Sequence, residues 1–546
     1  MIAEAQIDPP WHRVNWRRAK AGVRRLQTRI VKATKAGKWR LVRELQNLLT
    51  RSTAAKFLAA RRVTSNRGKK TPGVDGVVLD TPKAKWQAME RLNSVGYRPC
   101  PLKRVYLPKL NGKRRPLGIP TLQDRAMQAL HSLALEPVVE TISDPHSYGF
   151  RPERSTQDAR EQCFNALAKK NQAHWVLEAD IEGCFDNLDH QWLVKHTPME
   201  KRILRKWLKA GFLEDGHLHE TPTGTPQGGN ISPTLANVAL NGLESAILGH
   251  FTCRQRKAPK LNVVRYADDF IVTGATQEVL ENEVKPAITA FLAERGLRLS
   301  EDKTRITPIE EGFDFLGFNI RKYQGKLLIK PAKDSIKHVV KRLRDIFQVN
   351  LSAKTGNLIK QLNLVIRGWA TYYRGSVASA AFTKIDRAIA HVSWQWARRR
   401  HPKKSSGWIK RRYFPQGSRL TAKEGIHLAK MADRPIQRHV KIQAEANPYD
   451  PQWEPYFEKR WERQWKTQHP STLKTLWLKQ NSLCPACQGR LGEEDELDTH
   501  HLKLKALGGT DTLDNLVLLH STCHKQVHYF HGKEASPGAL RRLIRA

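Results

Sequence analysis

The sequence predicts an α+β protein built from several domains. A chain of 546 residues is too long for a single hydrophobic core, so we expect it to divide. Short β-branched runs with strand spacing are separated by longer stretches with helical spacing, which together are typical of α+β domains. Closely spaced Cys and His residues near the C-terminus indicate a small module held by metal. The hydrophobic fraction of 40% excludes a chain that is disordered throughout.

The chain is strongly basic. Its 94 Lys and Arg residues outnumber 52 Asp and Glu residues, which leaves a formal net charge of +42. An excess this large repels itself within a compact fold and predicts a polyanionic partner, with a merely soluble basic surface as the weaker alternative. Arg-rich runs interleaved with Trp and Tyr favour RNA over a membrane surface. Residues 321–440 hold 28 basic and 5 acidic residues, whereas residues 476–546 hold 9 and 8, which indicates a separate C-terminal module.

The cysteine content and the N-terminus bear on the compartment. Seven cysteines scattered over a long chain argue against a disulfide framework and favour a reducing environment. No apolar run of about 18 or more residues occurs, and residues 1–10 lack the core of a signal peptide. We therefore expect a soluble protein with no membrane partner, located in the bacterial cytoplasm near the nucleoid or in an organelle. The oligomeric state is not predicted.

The first elements along the chain are basic. Residues 11–63 carry helical apolar spacing under a basic polar face, which predicts two helices in contact with a polyanion. Residues 105–120, VYLPKLNGKRRPLGIP, predict a hairpin closed by an Asn111-Gly112 turn. A helix is expected from Asp124 to about Leu135.

Two apolar strands end in acidic residues. Residues 175–190, WVLEADIEGCFDNLDH, place Asp180 at the end of a strand. Residues 261–273, LNVVRYADDFIVT, place Asp268 and Asp269 at the tip of a hairpin. An Asp pair in a turn is common by itself, but a third acid at a strand end makes the combination specific.

These acids predict a magnesium site. Carboxylates at the ends of buried strands are costly unless a cation neutralises them, and Mg²⁺ takes hard oxygen ligands from carboxylates and substrate phosphates. Two such ions about 4 Å apart can activate a primer hydroxyl and stabilise a leaving pyrophosphate. We predict Asp180 and Asp268 as metal ligands, together with Ile181 directly after Asp180. Asp269 is the third catalytic acid, in a supporting role.

A glycine-rich turn lies between the acidic segments. Residues 223–240 read TGTPQGGNISPTLANVAL, in which glycines allow the backbone to approach a ligand and Gln227 offers a donor and an acceptor. Ser232-Pro233 predicts an N-cap followed by proline at the first helical position. Between two acidic strands this turn predicts a platform for nucleotide and template.

With these blocks in place, the chain resembles the reverse transcriptases of group II introns. The matching blocks are RPLGIP at 115–120, SYGFRP at 147–152, PQGG at 226–229, YADD at 266–269 and FLGF at 315–318. They follow the family order from about residue 51 to residue 323. The resemblance implies a right-hand polymerase with basic fingers, an antiparallel palm sheet and a helical thumb.

The resemblance also implies how a nucleotide would be bound. Phe185 would be the bulky gate that clashes with a 2′-hydroxyl and favours dNTPs over rNTPs, with an ordinary core aromatic as the alternative. Gln227 would lie near the incoming nucleotide. The triphosphate would be held by basic residues of the hairpin, namely Arg115 with Lys109, Lys113 or Arg114.

The region after the palm combines helical spacing with clustered arginines. Residues 337–347 and 358–373 predict helices, with Trp369 in the core. IRGWATYYR at 366–374 is similar to the maturase, or thumb, block of intron-encoded proteins, which implies binding of the parent intron RNA and help in its splicing. A processive polymerase thumb would also be basic. The residues expected to contact RNA are Arg398, Arg399, Arg400, Arg411 and Arg412.

The C-terminal cysteines predict a structural zinc site. Cys484 and Cys487 form a Cys-x-x-Cys pair, and His520 and Cys523 follow about thirty residues later. Two Cys, one His and one further Cys would give a tetrahedral site whose zinc is part of the folding free energy of a small module. Many relatives of this type carry Cys where this chain has His520.

Between these ligands lie Thr499-His500-His501 and GGTDTLDNLVLLH at 508–520, and His524 and His528 follow Cys523. This pattern resembles the HNH nuclease family. That family has a ββα-metal site with one catalytic divalent ion, here expected to be Mg²⁺. The match implies that His501 is the general base and that Asn515 holds the hairpin or the base in place. The ligands of the catalytic ion would be His500, His524 and His528, of which the last two share a helical face. A purely structural zinc ribbon is the alternative.

The predicted domains are a basic helical extension at 1–70, fingers and palm at 71–325, a thumb or maturase domain at 326–440, a DNA-binding linker at 441–475 and the nuclease at 476–546. The predicted protein copies RNA into DNA, binds its intron RNA to assist splicing, and nicks target DNA to prime reverse transcription during intron mobility. Its partners would be intron RNA, target DNA and dNTPs. A retron-like or diversity-generating reverse transcriptase, or a splicing factor with a decayed polymerase, are the alternatives.

Overall fold

The computed structural model describes residues 10–108, 112, 114–225, 227–249, 251, 259–468, 471–492 and 496–531. Several residues used in the sequence predictions lie outside this part of the chain: Lys109, Asn111, Lys113, Pro226 and Cys253. The closing turn of the predicted hairpin is therefore not described.

Twenty α-helices are present in the described residues. They are α1 Trp16–Lys35, α2 Trp39–Arg51, α3 Thr53–Ser65, α4 Pro82–Glu90, α5 Leu122–Ile142, α6 Thr156–Leu167, α7 Cys184–Asn187, α8 His190–His196, α9 Lys201–Leu208, α10 Ser232–Leu240, α11 Leu243–Gly249, α12 Gln277–Val279, α13 Lys285–Ala293, α14 Lys333–Val349, α15 Thr355–Tyr373, α16 Ser379–Arg400, α17 Ser406–Tyr413, α18 Glu454–Gln468, α19 Ser471–Lys479 and α20 Ser521–His531. A short π-helix, Leu280–Val284, joins α12 to α13. Short 3₁₀ helices are Pro10–Arg13, Arg67–Lys70, Met431–Asp433, Pro451–Trp453 and Lys505–Leu507.

Thirteen strands form four sheets in the same part of the chain. They are β1 Leu102–Pro108, β2 Arg114–Ile119, β3 Trp175–Ala179, β4 Phe212–Glu214, β5 His217–His219, β6 Asn262–Tyr266, β7 Asp269–Gly274, β8 Arg305–Pro308, β9 Phe313–Phe315, β10 Phe318–Tyr323, β11 Lys326–Pro331, β12 Leu497–His501 and β13 Leu516–His520. The strand orders are β2-β1-β4-β5, β6-β7-β3-β8, β11-β10-β9 and β12-β13.

The N-terminal region contains three long helices where the sequence predicted two. The first ends at Lys35, and Gly37 just beyond its cap takes a left-handed φ of 65° that stops the helix. Ser52 then divides the remaining stretch, because its backbone is extended and its side chain accepts from the Ala55 amide to cap α3. The apolar faces of these helices pack on α5, so the prediction of two helices was wrong in number while the helical type was confirmed.

The fingers sheet contains the predicted hairpin. β1 and β2 pair antiparallel from Lys103 opposite Ile119 to Pro108 opposite Arg114, which confirms the hairpin. The next helix is longer than predicted, because α5 begins after the Thr121 cap and continues through Pro137 to Ile142. Its apolar residues remain buried beyond Leu135, and this burial keeps the helix going past the proline.

The palm sheet is antiparallel and its strands come from distant parts of the chain. β3 lies between β7 and β8, and β6 pairs with β7 as the predicted hairpin. Buried Leu177 and Val272 pack into one hydrophobic core on one face of the sheet, while Val176 packs into a second core on the other face. The C-terminal end of β3 and the N-terminal end of β7 therefore lie next to each other at one edge of the sheet.

The helices after the palm share one core with the segment that follows them. α14, α15 and α16 pack together, and their core extends to Phe457. The predicted DNA-binding linker holds Trp453, Trp461 and Trp465, and all three make contacts within the protein. Trp465 is 1% exposed and stacks on Trp477 at 5.1 Å between ring centroids, while the Trp461 indole donates to Glu153 at 2.7 Å.

The C-terminal module is a two-stranded sheet followed by a helix. β12 and β13 pair antiparallel, and α20 packs against both strands around Leu518, Leu519 and Val527. This gives the ββα arrangement that the sequence predicted. In the part of the chain that the structure describes, no helix combines the length and the apolar character needed to cross a bilayer.

Candidate functional site

The three predicted acids meet at one edge of the palm sheet. Ala179 of β3 pairs with Phe270 of the antiparallel strand β7. The next position along the pair therefore places Asp180 beside Asp269. Their side chains are within hydrogen-bond distance, and Asp268 lies in the turn between β6 and β7. Ala267 takes a left-handed φ of 59° in that turn. Ile181 is 2% exposed, so it can offer a cation only its backbone carbonyl.

The electrostatics of this edge fit a bound cation. Burial raises the pKa of Asp268, and the negative charge of Asp180 raises it further. Burial also raises the pKa of Asp269 to about 7, aided by the charge of Asp268 and the contact with Asp180. Asp269 keeps an exposed surface, so its environment combines water on one side with crowded carboxylates on the other. A divalent ion would relieve this repulsion.

Sequence reasoning missed two cations that shape the acidic edge. Lys303 Nζ lies 2.6 Å from Asp180 Oδ2, and this hydrogen bond raises the pKa of Lys303. Arg265 is 3% exposed and donates to the Ala267 carbonyl at 3.2 Å, while burial lowers its pKa to about 10. Arg265 stands in the β6 strand as a polar residue among apolar ones, which was the available signal.

The SYGFRP and YADD blocks are adjacent in space. The Tyr148 amide donates to the Arg265 carbonyl at 2.8 Å, which attaches the first block to β6. A Cβ on Gly149 would lie 2.2 Å from the Ala267 nitrogen, so only glycine fits against the turn that carries Asp268. The two blocks therefore form one support beneath the acids.

The predicted nucleotide-binding residues surround the same edge. Arg115 is exposed on β2, and its charge acts on Asp268 to lower the pKa of that acid. Phe185 and Gln227 line a cavity of about 350 Å³ between the fingers sheet and the palm. Gln227 Nε2 donates to both carboxylate oxygens of Asp186 at 3.0 Å, a partner that sequence reasoning missed. Lys109 lies outside the described residues.

The predicted RNA-contacting arginines divide into two groups. Arg398, Arg399 and Arg411 are exposed at the ends of α16 and α17. Arg400 donates to the backbone carbonyls of Leu351 and Ala353, so part of its hydrogen-bonding capacity stabilises the fold. Arg412 also has a contact within the protein, because its guanidinium carbon lies 5.2 Å from the Tyr413 ring centroid.

The four predicted zinc ligands form one cluster. The ligand atoms of Cys484, Cys487, His520 and Cys523 all lie within 4.8 Å of one another. His520 Nε2 donates to the Arg490 carbonyl at 2.9 Å, which leaves Nδ1 with its lone pair 3.3 Å from Cys487 Sγ. Hydrogen bonds from the neighbouring thiols of Cys487 and Cys523 lower the pKa of Cys484. A thiolate beside a neutral imidazole is the donor set that Zn²⁺ takes.

A second cluster contains the three predicted nuclease ligands. His524 Nε2 lies 3.1 Å from His500 Nδ1 and 3.0 Å from His528 Nε2. Two ring nitrogens that face each other at this distance cannot both carry a proton. Some of them therefore direct lone pairs into the space between the three rings, where a cation would fit. Burial and the neighbouring histidines lower the pKa of His500 to about 4, which keeps it neutral as a ligand must be. Asp498 accepts from His524 Nδ1 at 3.1 Å and orients that ring.

The predicted general base lies beside this cluster on β12. His501 Nε2 donates to Asp511 Oδ1 at 2.8 Å, and Lys505 contacts the other carboxylate oxygen at 2.7 Å. Asn515 bonds the backbone of Lys503 in both directions and the Thr510 carbonyl at 2.8 Å. It therefore contacts the loop of the hairpin, one of its two expected roles. Asp511 was not anticipated from the sequence.

Four family models match consecutive parts of the chain. They are the N-terminal domain of reverse transcriptase at residues 11–92, reverse transcriptase (RNA-dependent DNA polymerase) at 107–320, the group II intron maturase-specific domain at 336–414 and HNH endonuclease at 484–530. Fold and matches together define an enzyme that acts on nucleic acids, with a polymerase and a nuclease in one chain.

Curated relatives agree with these matches. Protein YkfC of Escherichia coli is 34% identical over 321 residues, which cover 50% of this chain and 83% of YkfC. The group II intron-encoded protein LtrA of Lactococcus lactis is 30% identical over 332 residues, and the alignment spans 48% of this chain and 54% of LtrA. The chain belongs to the family of group II intron reverse transcriptases, with a maturase domain and an HNH endonuclease domain.

Proposed function

We propose that Asp180, Asp268 and Asp269 are the catalytic centre that copies RNA into DNA. The supporting observation is that these three carboxylates, which come from separate stretches of the sequence, meet at one edge of the palm sheet, where the pKa values of Asp268 and Asp269 are raised. Asp180, the Ile181 carbonyl and Asp268 would hold Mg²⁺. When bound, Mg²⁺ supplies Lewis-acid activation of a primer hydroxyl and of the departing pyrophosphate.

The surrounding residues would position the dNTP. Arg115 projects from the fingers toward the acids and is suited to hold triphosphate oxygens, because a guanidinium binds phosphate in two places. Phe185 would close the sugar side of the cavity and exclude a 2′-hydroxyl. Gln227, fixed by Asp186, would line the position of the incoming base. Lys303 would leave Asp180 when the metal binds.

The thumb surface would hold the parent intron RNA. Arg398, Arg399 and Arg411 are exposed on a region with 28 basic and 5 acidic residues between positions 321 and 440. Such a surface neutralises closely packed phosphates and fixes RNA helices relative to one another. The intron supplies its own splicing chemistry.

The C-terminal module would nick target DNA and so create the primer. His500, His524 and His528 would hold a divalent ion that polarises the scissile phosphate when bound. Three imidazole nitrogens suit a transition-metal ion better than the Mg²⁺ expected from the sequence, because Mg²⁺ takes oxygen ligands. His501, held by Asp511, would take a proton from the attacking water. The four-ligand cluster at Cys484 would bind structural Zn²⁺ and hold the base of the module.

The polymerase assignment is tested by primer extension on an RNA template. The wild-type protein should extend a DNA primer with dNTPs and Mg²⁺, and Asp268→Ala should remove this activity while leaving intron RNA binding unchanged. Equal inactivity of both proteins, with RNA binding intact, would favour a splicing factor with a decayed polymerase.

The nuclease assignment is tested separately on a duplex that contains the target site. His501→Ala should lose strand cleavage by about a hundredfold or more and keep primer extension, because the two centres share no side chain. Undiminished cleavage by this variant would remove His501 from the mechanism.

A further inference from the structure

A cavity of about 700 Å³ lies where the nuclease helix meets the N-terminal helices and the fingers. Its walls come from α1 and α3, from α4, from the loop that contains Phe150, and from the start of α20. We call this space the seam cavity. No residue between positions 321 and 440 lines it, so it is separate from the thumb surface.

Three lysines from different modules converge on the seam cavity. Lys69 follows α3, Lys85 is on α4, and Lys525 is on α20. Lys69 lies 3.6 Å from Glu496, whereas among the described residues no carboxylate is within ion-pair distance of Lys85 or Lys525. Burial lowers the pKa of Lys85, and the charges of Lys525 and Lys69 lower it further. Like charges brought together in this way are stabilised when an anion lies between them.

The position of Lys525 is fixed by contacts on the same face of the helix. Gln526 Nε2 donates to the carbonyls of His12 at 2.8 Å and Val14 at 3.1 Å. The rings of His12 and Tyr529 stack with centroids 4.6 Å apart. The nuclease module therefore docks on the N-terminal segment in one orientation, and the lysines are held in register.

The seam cavity lies between the two candidate sites. His524, next to Lys525 on α20, contacts His500 of the histidine cluster, so neighbouring residues of one helix face the cluster and the cavity. At its other end the cavity reaches Phe150, whose ring meets that of Phe185 edge-to-face at 6.2 Å. The cavity and the nuclease site therefore share α20 as a common wall.

We propose that the seam cavity binds the phosphate backbone of the DNA strand engaged by the nuclease, with Lys85 and Lys525 as its main contacts. This inference rests on the proposed nuclease function. DNA is favoured over intron RNA because one wall is the nuclease helix itself, while the concentrated basic surface suited to the intron lies on the thumb.

The test compares two double variants of the full chain. Lys85→Gln with Lys525→Gln removes the cavity charges. Lys83→Gln with Lys479→Gln removes the same charge from the same modules outside the cavity, since Lys83 is exposed on α4 and Lys479 pairs with Asp514 at 2.8 Å on the module surface. Affinity for a labelled single-stranded DNA oligonucleotide is measured without added Mg²⁺ and without a chelator over a salt series, so that structural zinc is kept and no cleavage is needed for the readout.

The cavity variant should reduce the slope of log K against log salt by about 1.4, because each phosphate contact on a single strand contributes about 0.7. The control variant should change the slope by less than half of that, and neither should change affinity for intron RNA. Thermal melting curves that match wild type show that the variants fold.

Equal slopes for the cavity and control variants would overturn the proposal. A loss of intron RNA affinity with DNA affinity retained would overturn the assignment to DNA. If the wild-type protein fails to cut duplex DNA but the cavity variant shows the expected slope change, the seam cavity stands and the nuclease function alone fails.

Discussion

A buried ion network joins the segment after the thumb to palm helix α6, and it can be tested by one substitution. Asp158 has a fully buried side chain. Its Oδ1 accepts from Arg460 at 3.0 Å, from His439 at 2.9 Å and from the Ile442 amide at 2.7 Å. Its Oδ2 accepts from Ser155 at the helix cap. One carboxylate therefore satisfies partners from two regions of the chain.

Two magnitudes follow from this geometry. Burial alone would raise the pKa of Asp158, but the hydrogen bond from His439 and the charge of Arg460 outweigh it and lower the pKa to about 2 from 3.8. The shift corresponds to roughly 2 kcal/mol that is present above about pH 4 and is lost as the pH falls through 2. Asp158→Asn removes the charge while Arg460 stays buried, which should cost about 3–5 kcal/mol.

Hydrogen exchange at the Ile442 amide measures this cost locally. Exchange should become faster by on the order of a hundredfold or more in Asp158→Asn, since each 1.4 kcal/mol is a factor of ten. The matched control is Asp334→Asn, which breaks an exposed pair with Lys337 at 3.0 Å and should leave exchange at Ile442 unchanged. Exchange at Ile442 that is the same in both variants would refute the argument that Asp158 holds this segment.

Three further predictions follow from the sites. Cys523→Ser should lose bound zinc and make residues 471–531 sensitive to protease, because zinc contributes on the order of 10 kcal/mol to modules of this type; elemental analysis that still finds zinc would contradict it. Phe185→Val should raise rNTP use in primer extension by about tenfold or more relative to dNTP use, and an unchanged ratio would assign Phe185 to the core. Arg399→Gln with Arg411→Gln should lower the slope of log K against log salt for intron RNA binding by about 1–2. An unchanged slope would show that the RNA binds at another basic site.

Local patterns in the sequence were sufficient for the fold class and for most of the candidate site. The β-branched runs before Asp180 and around Asp268 specify strands with acids at their ends, because strand spacing and turn preference act over a few residues. The zinc ligands are likewise paired at short spacing around Cys484 and Cys523. These features were predicted because each depends on neighbours in sequence.

Only the tertiary structure decided which distant groups meet. Lys303 contacts Asp180 across 123 residues, Arg460 reaches Asp158 across 302, and Gln526 bonds to His12 across 514. No periodicity links such pairs, since their contact depends on how whole helices and sheets pack. The sequence by itself therefore determined the chemistry of the strands, turns and metal ligands, and packing determined the cations, carboxylates and docking contacts that hold them in place.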